Sequence, residues 1–340
     1  KASIVLANGA NYILLGPNDT MIKSKKKVIA VTAVRTGAGK SQTSRRIVDI
    51  LRKHKKKVVV VRHPMPYGDL KMERSQRFGS YKDLLEQNCT IEEHEEYDAW
   101  ISKKLVVFAC IDYKEILKRA EKEADVIVWD GGNNDFSFFR PDLLITVLDP
   151  FRPGHELTYH PGEANFRMAD VLIINKVNTA PKKGIEEIEK NIKDINSKAI
   201  VIKANSELIT QGSKLMRNKR VIVVEDGPTL THGGMAYGAG YLGAKKNRAK
   251  IIDARKYAVG SLKEVFEKYP HLDGILPAMG YSKEQIKELE QTINKAKCDL
   301  VVDGTPTNLS RVIKVNKPII EVDYELKEIG KINLEQVLKE

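Results

Sequence analysis

An apolar, β-branched run, VIAVTAV (Val28 to Val34), passes directly into RTGAGK and then into SQTSRRIVDILRK, where apolar residues recur at helical spacing. The run is apolar on both alternating faces, so as a strand it must be covered on both sides. A covered strand, a glycine-bearing loop and a helix in immediate succession open an α/β layer structure with a mostly parallel sheet. Gly39, Lys40 and Ser41 fill the last three places of the GxxxxGK pattern followed by Ser or Thr, while Val34 stands where the first glycine belongs. A tight turn is the bland alternative, because GK plus Ser or Thr recurs by chance in a lysine-rich chain. The strand before the loop and the helix after it favour a P-loop phosphate cradle.

In that reading the backbone N–H groups from Gly37 to Lys40 point at phosphate oxygens from a helix N-terminus, and glycine permits the close approach. Thr36, Ala38 and Gln42 complete the expected nucleotide contacts. Lys40 is expected to reach the β and γ phosphates, and Ser41 to place its hydroxyl on Mg²⁺.

The same alternation of short β-branched runs with amphipathic, charged segments continues to the end of the chain. Expected strands are Lys27 to Val34, Lys57 to Arg62, Val126 to Asp130, Leu143 to Leu148, Val171 to Asn175, Ala199 to Lys203, Arg220 to Glu225, Lys250 to Asp253, Leu300 to Asp303 and Pro318 to Val322. Between them, segments such as YKEILKRAEKEA, GIEEIEKNIKDI and KEQIKELEQTINKA carry an apolar stripe at helical spacing. We expect a nucleotide-binding core over residues 23–213 and a C-terminal α/β extension over 214–340, continuing or flanking the sheet. The opening SIVLANGANYILLG reads as a strand; as the chain starts at Lys1, residues 1–22 are read as the end of an N-terminal α/β domain.

A P-loop needs an acidic residue at the end of a neighbouring strand. ADVIVWDGGNND supplies Asp130, a second ligand for Mg²⁺, with Asn133 and Asn134 at the same strand edge. A third strand, VLIINKVN, ends in Asn175, Lys176 and Asn178, one residue away from the NKxD pattern of guanine-binding proteins. An aspartate accepts from two guanine donors, whereas an asparagine offers one acceptor and one donor. Adenine is therefore admissible: ATP is expected and GTP left open.

Composition excludes several classes. No apolar run approaches the ~20 residues of a spanning helix, and the cysteines Cys89, Cys110 and Cys298 lack metal spacing. The chain reads as cytosolic, without a membrane role. Its net charge of +12 attracts polyanions, but the basic runs have no interleaved aromatics, so small anions are favoured over nucleic acid. Abundant Lys, Glu and Ile with little Gln fits a thermophile.

Taken together, VIAVTAVRTGAGKSQTSRR, VVVVRHPMPYGDL, DVIVWDGGNNDF, DPFRPGHELTYHPGEANFRMADV and IINKVNTA resemble the cyclic 2,3-diphosphoglycerate synthetase family, whose relatives are often described as predicted GTPases. The resemblance implies ATP-dependent closure of 2,3-bisphosphoglycerate, a small polyanionic metabolite. Such a site must neutralise two phosphates and a carboxylate, and Arg62, His63, Arg140, Arg152 and His155 follow strand ends where ligands gather in an open sheet. Arg62, Arg140 and Arg152 equally fit surface pairing with Asp69, Asp142 and Glu156.

Arg35 sits where P-loop proteins resembling the nitrogenase iron protein carry a lysine that contacts nucleotide across a dimer. That likeness implies a homodimer with Arg35 acting in trans; a salt-bridged surface arginine is the alternative. The expected catalytic groups are Lys40, Arg35 and Asp130. A nucleotide-switched regulatory or assembly protein is the rival to a phosphoryl-transfer enzyme. Three features of the second half have no assigned role. Two strands end in similar acidic turns, EDGPT at Glu225 to Thr229 and DGTPT at Asp303 to Thr307, and THGGMAYGAG reads as either a loop near a ligand or a linker.

Overall fold

A computed structural model describes residues 1–65, 70–132, 135–210, 212–231, 234–279, 282–306 and 308–339. The strands are β1 (Lys27–Ala33), β2 (Val58–Arg62), β3 (Gln76–Phe78), β4 (Val106–Ala109), β5 (Val126–Trp129), β6 (Leu143–Leu148), β7 (Val171–Ile174), β8 (Ile200–Thr210), β9 (Arg220–Asp226), β10 (Lys250–Ile251), β11 (Leu276–Ala278), β12 (Leu300–Gly304) and β13 (Ile319–Ile329). They form one sheet in the order β10-β9-β12-β13-β8-β7-β6-β1-β5-β2-β4-β3, with β11 also on β9. All pairs are parallel except β3 with β4 and β13 with β8.

The expected α/β architecture is present, and each strand expected from Lys27 onward is found. The short β3, β4 and β11 add to it, because a three- or four-residue run gives little periodicity to read. The opening segment departs from expectation: Ala2–Ala7 is a helix, not a strand. Ile4, Leu6, Ile13, Leu14 and Leu15 are exposed, and no strand among the described residues pairs with this segment. A helix bonds its own backbone, whereas an unpaired strand leaves its donors to water.

The helix Lys40–Lys53 shows how sequence becomes packing. Ile47, Val48, Ile50 and Leu51 are buried against the sheet, while Arg45, Arg46 and Arg52 lie on the other side. Each such aliphatic side chain contributes about 1.5–3 kcal/mol on burial. This core also holds Ile29, Val31, Val60 and Trp100, and a second core forms around Val223, Leu276, Ile293 and Val301.

The antiparallel β8/β13 pair decides where the two regions meet. Ile200 to Lys203 pair with β7, but Lys203 to Thr210 run on beyond the carboxyl end of β7 and pair with Ile329 to Val322. At the far end of that ribbon Ile319 to Glu321 run parallel to β12, which returns toward the first region. The carboxyl ends of β9 and β12 therefore face the carboxyl ends of β1, β5 and β2. Ligands bind at such edges in open α/β sheets, and here two edges border one cleft.

Candidate functional site

The cleft has a volume of about 1540 Å³, and the P-loop forms its floor. Gly37 and Gly39 have φ of 81° and 109°, a backbone region that side chains rarely adopt. At Gly39 a Cβ would also stand 2.0 Å from Asn175 Nδ2. That amide is buried behind the loop, donating to Ala38 O at 2.9 Å. Asn175 thus supports the cradle from beneath and does not line the cleft. Thr36, Gly37, Gly39, Lys40, Ser41 and Gln42 do line it, whereas Ala38 is buried.

Lys40 Nζ lies 2.6 Å from Asp130 Oδ1, which also accepts from Ser44 Oγ at 2.8 Å; Arg62 binds the other carboxylate oxygen. Burial opposes ionisation of Asp130, but Lys40 and Arg62 overcome it and hold the carboxyl below its ordinary range. Asp130 is thus ionised and paired with Lys40. Ser41 is exposed at the start of the helix. Its hydroxyl and the Asp130 carboxylate are hard oxygen donors of the kind Mg²⁺ takes together with phosphate oxygens.

Other expected contacts have different surroundings. Arg62 is not on the surface with Asp69, which lies outside the described residues; it is buried between Asp130 and Glu96. Arg152 pairs with Asp149 rather than Glu156 and donates to Thr36 O at 2.6 Å, bracing the P-loop. Arg140 donates to Asn18 Oδ1 at 2.9 Å and does not line the cleft; Asp142 instead accepts from Val28 N. His63 lines the cleft with Nδ1 3.3 Å from Asp135. His155 lies outside it, and burial with nearby Arg35 and Arg152 lowers its pKa. Asn133 and Asn134 lie outside the described residues.

Gln42 and Ser206 hydrogen-bond through their side chains, tying the P-loop helix to β8. The Asn178 amide is engaged in both directions by the Ser206 backbone, at 3.2 Å each way. Lys176 lies 3.5 Å from Asp149 and over the Phe151 ring; burial lowers its pKa against the pull of Asp149. Arg35 stacks on Tyr159 at 4.1 Å and does not line the cleft.

The opposite wall carries Glu207, Glu225, Asp226, Asp323 and Lys246; Glu207 pairs with Lys327, and Asp323 with Arg45 of the P-loop helix. It reaches the P-loop itself: a Cβ at Gly37 would lie 3.8 Å from Met235 and 3.9 Å from Thr229. These groups belong to the EDGPT turn and the THGGMAYGAG segment, whose glycine and acidic character was the only sequence signal of a site.

The chain is 58% identical over 340 residues to the arginine synthetase ArcE of Thermococcus kodakarensis, covering all of this chain and 76% of that protein. The chain belongs to the ArcE family. A cyclic 2,3-diphosphoglycerate synthetase of Thermococcus sibiricus is more distant, 22% identical over 220 residues, or 62% of this chain and 48% of that protein. The family model for the CobW/HypB/UreG nucleotide-binding domain matches residues 111–203, a span that includes Asp130 and Asn175. The structure of the "apo" form of LpxK from Aquifex aeolicus in complex with ATP covers 99% of this chain and 92% of its own at 14% identity, with a TM-score of 0.54. That likeness concerns the fold, a P-loop NTPase with a mostly parallel sheet flanked by helices. This member of the ArcE family is thus a P-loop nucleotide-binding, synthetase-like protein, and no helix among the described residues is long and apolar enough to cross a membrane.

Proposed function

We propose that the chain is an ATP-dependent synthetase that forms arginine, joining a nitrogen nucleophile to an acceptor activated by the γ-phosphoryl group. The observation that carries this reading is the carboxyl-bearing wall facing the P-loop: Glu207 and Asp323 are paired with Lys327 and Arg45, while Glu225, which makes no ion pair among the described residues, suits a cationic product. In chemical terms, a guanidinium carbon forms when the oxygen of a ureido group is replaced by nitrogen. Phosphoryl transfer to that oxygen makes it a leaving phosphate; the C–N bond forms as the C–O bond breaks, leaving ADP and inorganic phosphate. Lys40 would stabilise charge on the transferring group, and the closed cleft would align the reactants. Ser41 and Asp130 would hold Mg²⁺, which neutralises phosphate charge when bound.

Closure of 2,3-bisphosphoglycerate is the second reading, supported by the 22% identity to a synthetase of that name. It sets a bisphosphate against the same acidic wall. Each carboxylate–phosphate pair at roughly 5 Å costs about 3 kcal/mol at an effective dielectric constant of 20. Arg62 and Arg152, which would offset this, are occupied by Asp130, Glu96 and Asp149.

The test incubates the chain with Mg²⁺, ATP, ammonium and a ureido amino acid, following arginine and phosphate together, with Lys40→Ala as the blank. Stoichiometric arginine and phosphate support the proposal. Phosphate release stimulated only by 2,3-bisphosphoglycerate moves the assignment to the second reading, and slow release indifferent to either acceptor indicates a nucleotide switch.

A further inference from the structure

The buried carboxyls Glu225 and Asp303 end adjacent strands, and their surroundings separate them. Asp303 has both oxygens engaged: Oδ1 accepts from Thr305 N and Oγ1, and Oδ2 from Leu309 N. It shapes the DGTPT turn and does not line the cleft. Glu225 Oε1 accepts from Gly238 N at 3.1 Å and Tyr241 N at 2.7 Å, and the backbone N–H of Gly240 also favours the charged carboxylate. No side chain among the described residues bonds to its Oε2, although Glu225 is 1% exposed and lines the cleft.

The space at Oε2 is kept open by glycine. A Cβ at Gly238 would lie 2.4 Å from this oxygen, and one at Gly304 2.3 Å from it, so neither position accepts a side chain without moving the carboxyl. Both glycines line the cleft with Glu225. No cation among the described residues pairs with the group. Asp226 on the same strand end adds negative potential, Tyr237 and Tyr324 lie nearby, Asp323 on β13 is paired with Arg45, and Lys246, exposed on the helix Ala239–Lys246, makes no ion pair with Glu225. A buried carboxylate without a counter-ion is costly, and a cation delivered to its open side removes the cost.

We infer that Glu225 anchors the guanidinium of arginine on the acceptor side of the γ-phosphoryl site. The inference rests on the arginine-forming reading. The turn that follows Asp226 reaches Gly37 of the P-loop, so a cation held by Glu225 shares the cleft with the phosphate cradle. Glu225 is thereby a specificity residue, rejecting acceptors whose product end is anionic.

The experiment is calorimetric titration of arginine into the chain with Mg²⁺ and ADP, in buffers of different ionisation heat, from pH 6 to 9. Burial pushes the Glu225 carboxyl up to about 8. At pH 7 it is therefore roughly nine-tenths protonated, and an arriving guanidinium displaces nearly one proton. Affinity rises toward pH 8 and levels above it. Glu225→Gln, which keeps the shape and the Oε1 contacts, is expected to bind arginine about tenfold or more weakly, without proton release and with a flat pH profile. Lysine, with an ammonium in place of the guanidinium, is expected to bind more weakly than arginine to the wild-type chain. Normal ADP binding by the variant verifies its fold. Arginine binding by the wild-type chain without proton release, or equal binding by Glu225→Gln, overturns the inference and leaves the arginine-forming reading standing. Absence of arginine binding to a wild-type chain that binds ADP overturns both.

Discussion

Asp130→Asn removes one negative charge from a site where two cations depend on it. Asp130 is fully buried and Lys40 is 6% exposed, and Lys40 makes no other ion pair among the described residues. Arg62 retains Glu96. Breaking one member out of a buried pair costs about 3–5 kcal/mol, because the remaining charge loses its partner without regaining water. With an unfolding entropy of about 0.7 kcal/mol/K for a chain of 340 residues, or about 1.4 °C per kcal/mol, the melting temperature without nucleotide should fall by roughly 4–7 °C. ATP supplies a new anion to Lys40, so metal-free ATP should raise the melting temperature of the variant by more than that of the wild type. Turnover should collapse even so, since the metal loses its carboxylate. The assay is scanning calorimetry with and without ATP in EDTA, beside phosphate release with Mg²⁺. A variant that melts within 2 °C of the wild type, with an equal ATP-induced rise, refutes the account of Asp130 as the counter-charge of Lys40.

Gly39→Ala places a Cβ 2.0 Å from Asn175 Nδ2 at a φ of 109°, so nucleotide affinity should fall at least tenfold; unchanged binding in fluorescence titration contradicts the supporting role of Asn175. Asn178→Ala should cost about 1–2 kcal/mol of stability by releasing the Ser206 backbone, with the ratio of ATP to GTP affinity unchanged. A changed ratio would support Asn178, which lines the cleft, as a reader of the base. Burial raises Glu225 to about 8 and Asp303 to about 7, so the folded chain keeps protons that the unfolded chain has lost. Their contribution is complete below about pH 4 and declines as pH rises to 8, by about 1.4 kcal/mol per unit for each group while it remains protonated in the fold alone. Denaturation midpoints should show that decline, diminished in Glu225→Gln; midpoints independent of Glu225→Gln at pH 5 and 8 exclude it. If Arg35 serves a partner's nucleotide, Arg35→Ala should lower turnover about 10³-fold, and mixing it with Lys40→Ala should recover activity. Full turnover by Arg35→Ala removes that role.

The strand, loop and helix around Lys40 were legible because their signals are local. Six consecutive buried residues in β1, glycines at two positive φ values and an apolar stripe on the following helix each follow from short-range chemistry. Asp130 was legible for the same reason, as the acid ending an apolar strand. The fate of Arg62 was not, since it found Asp130 and Glu96, partners brought to it by the fold; Arg152 pairs with Asp149 only three residues away, but its contact with Thr36 O likewise depends on the fold. Asn178 likewise meets Ser206 only because β8 lies beside β7.

The acidic wall is the largest difference. EDGPT could be read as a turn after a strand, but its position opposite the P-loop depends on β8 running past β7 and on β13 returning antiparallel to it. That reversal points the carboxyl ends of β9 and β12 back at the nucleotide edge. Local sequence determined the phosphate cradle, because backbone conformation and burial patterns act over a few residues; only the tertiary structure decided what faces it, because strand pairing brings together residues nearly two hundred positions apart, as Gly37 and Thr229 show.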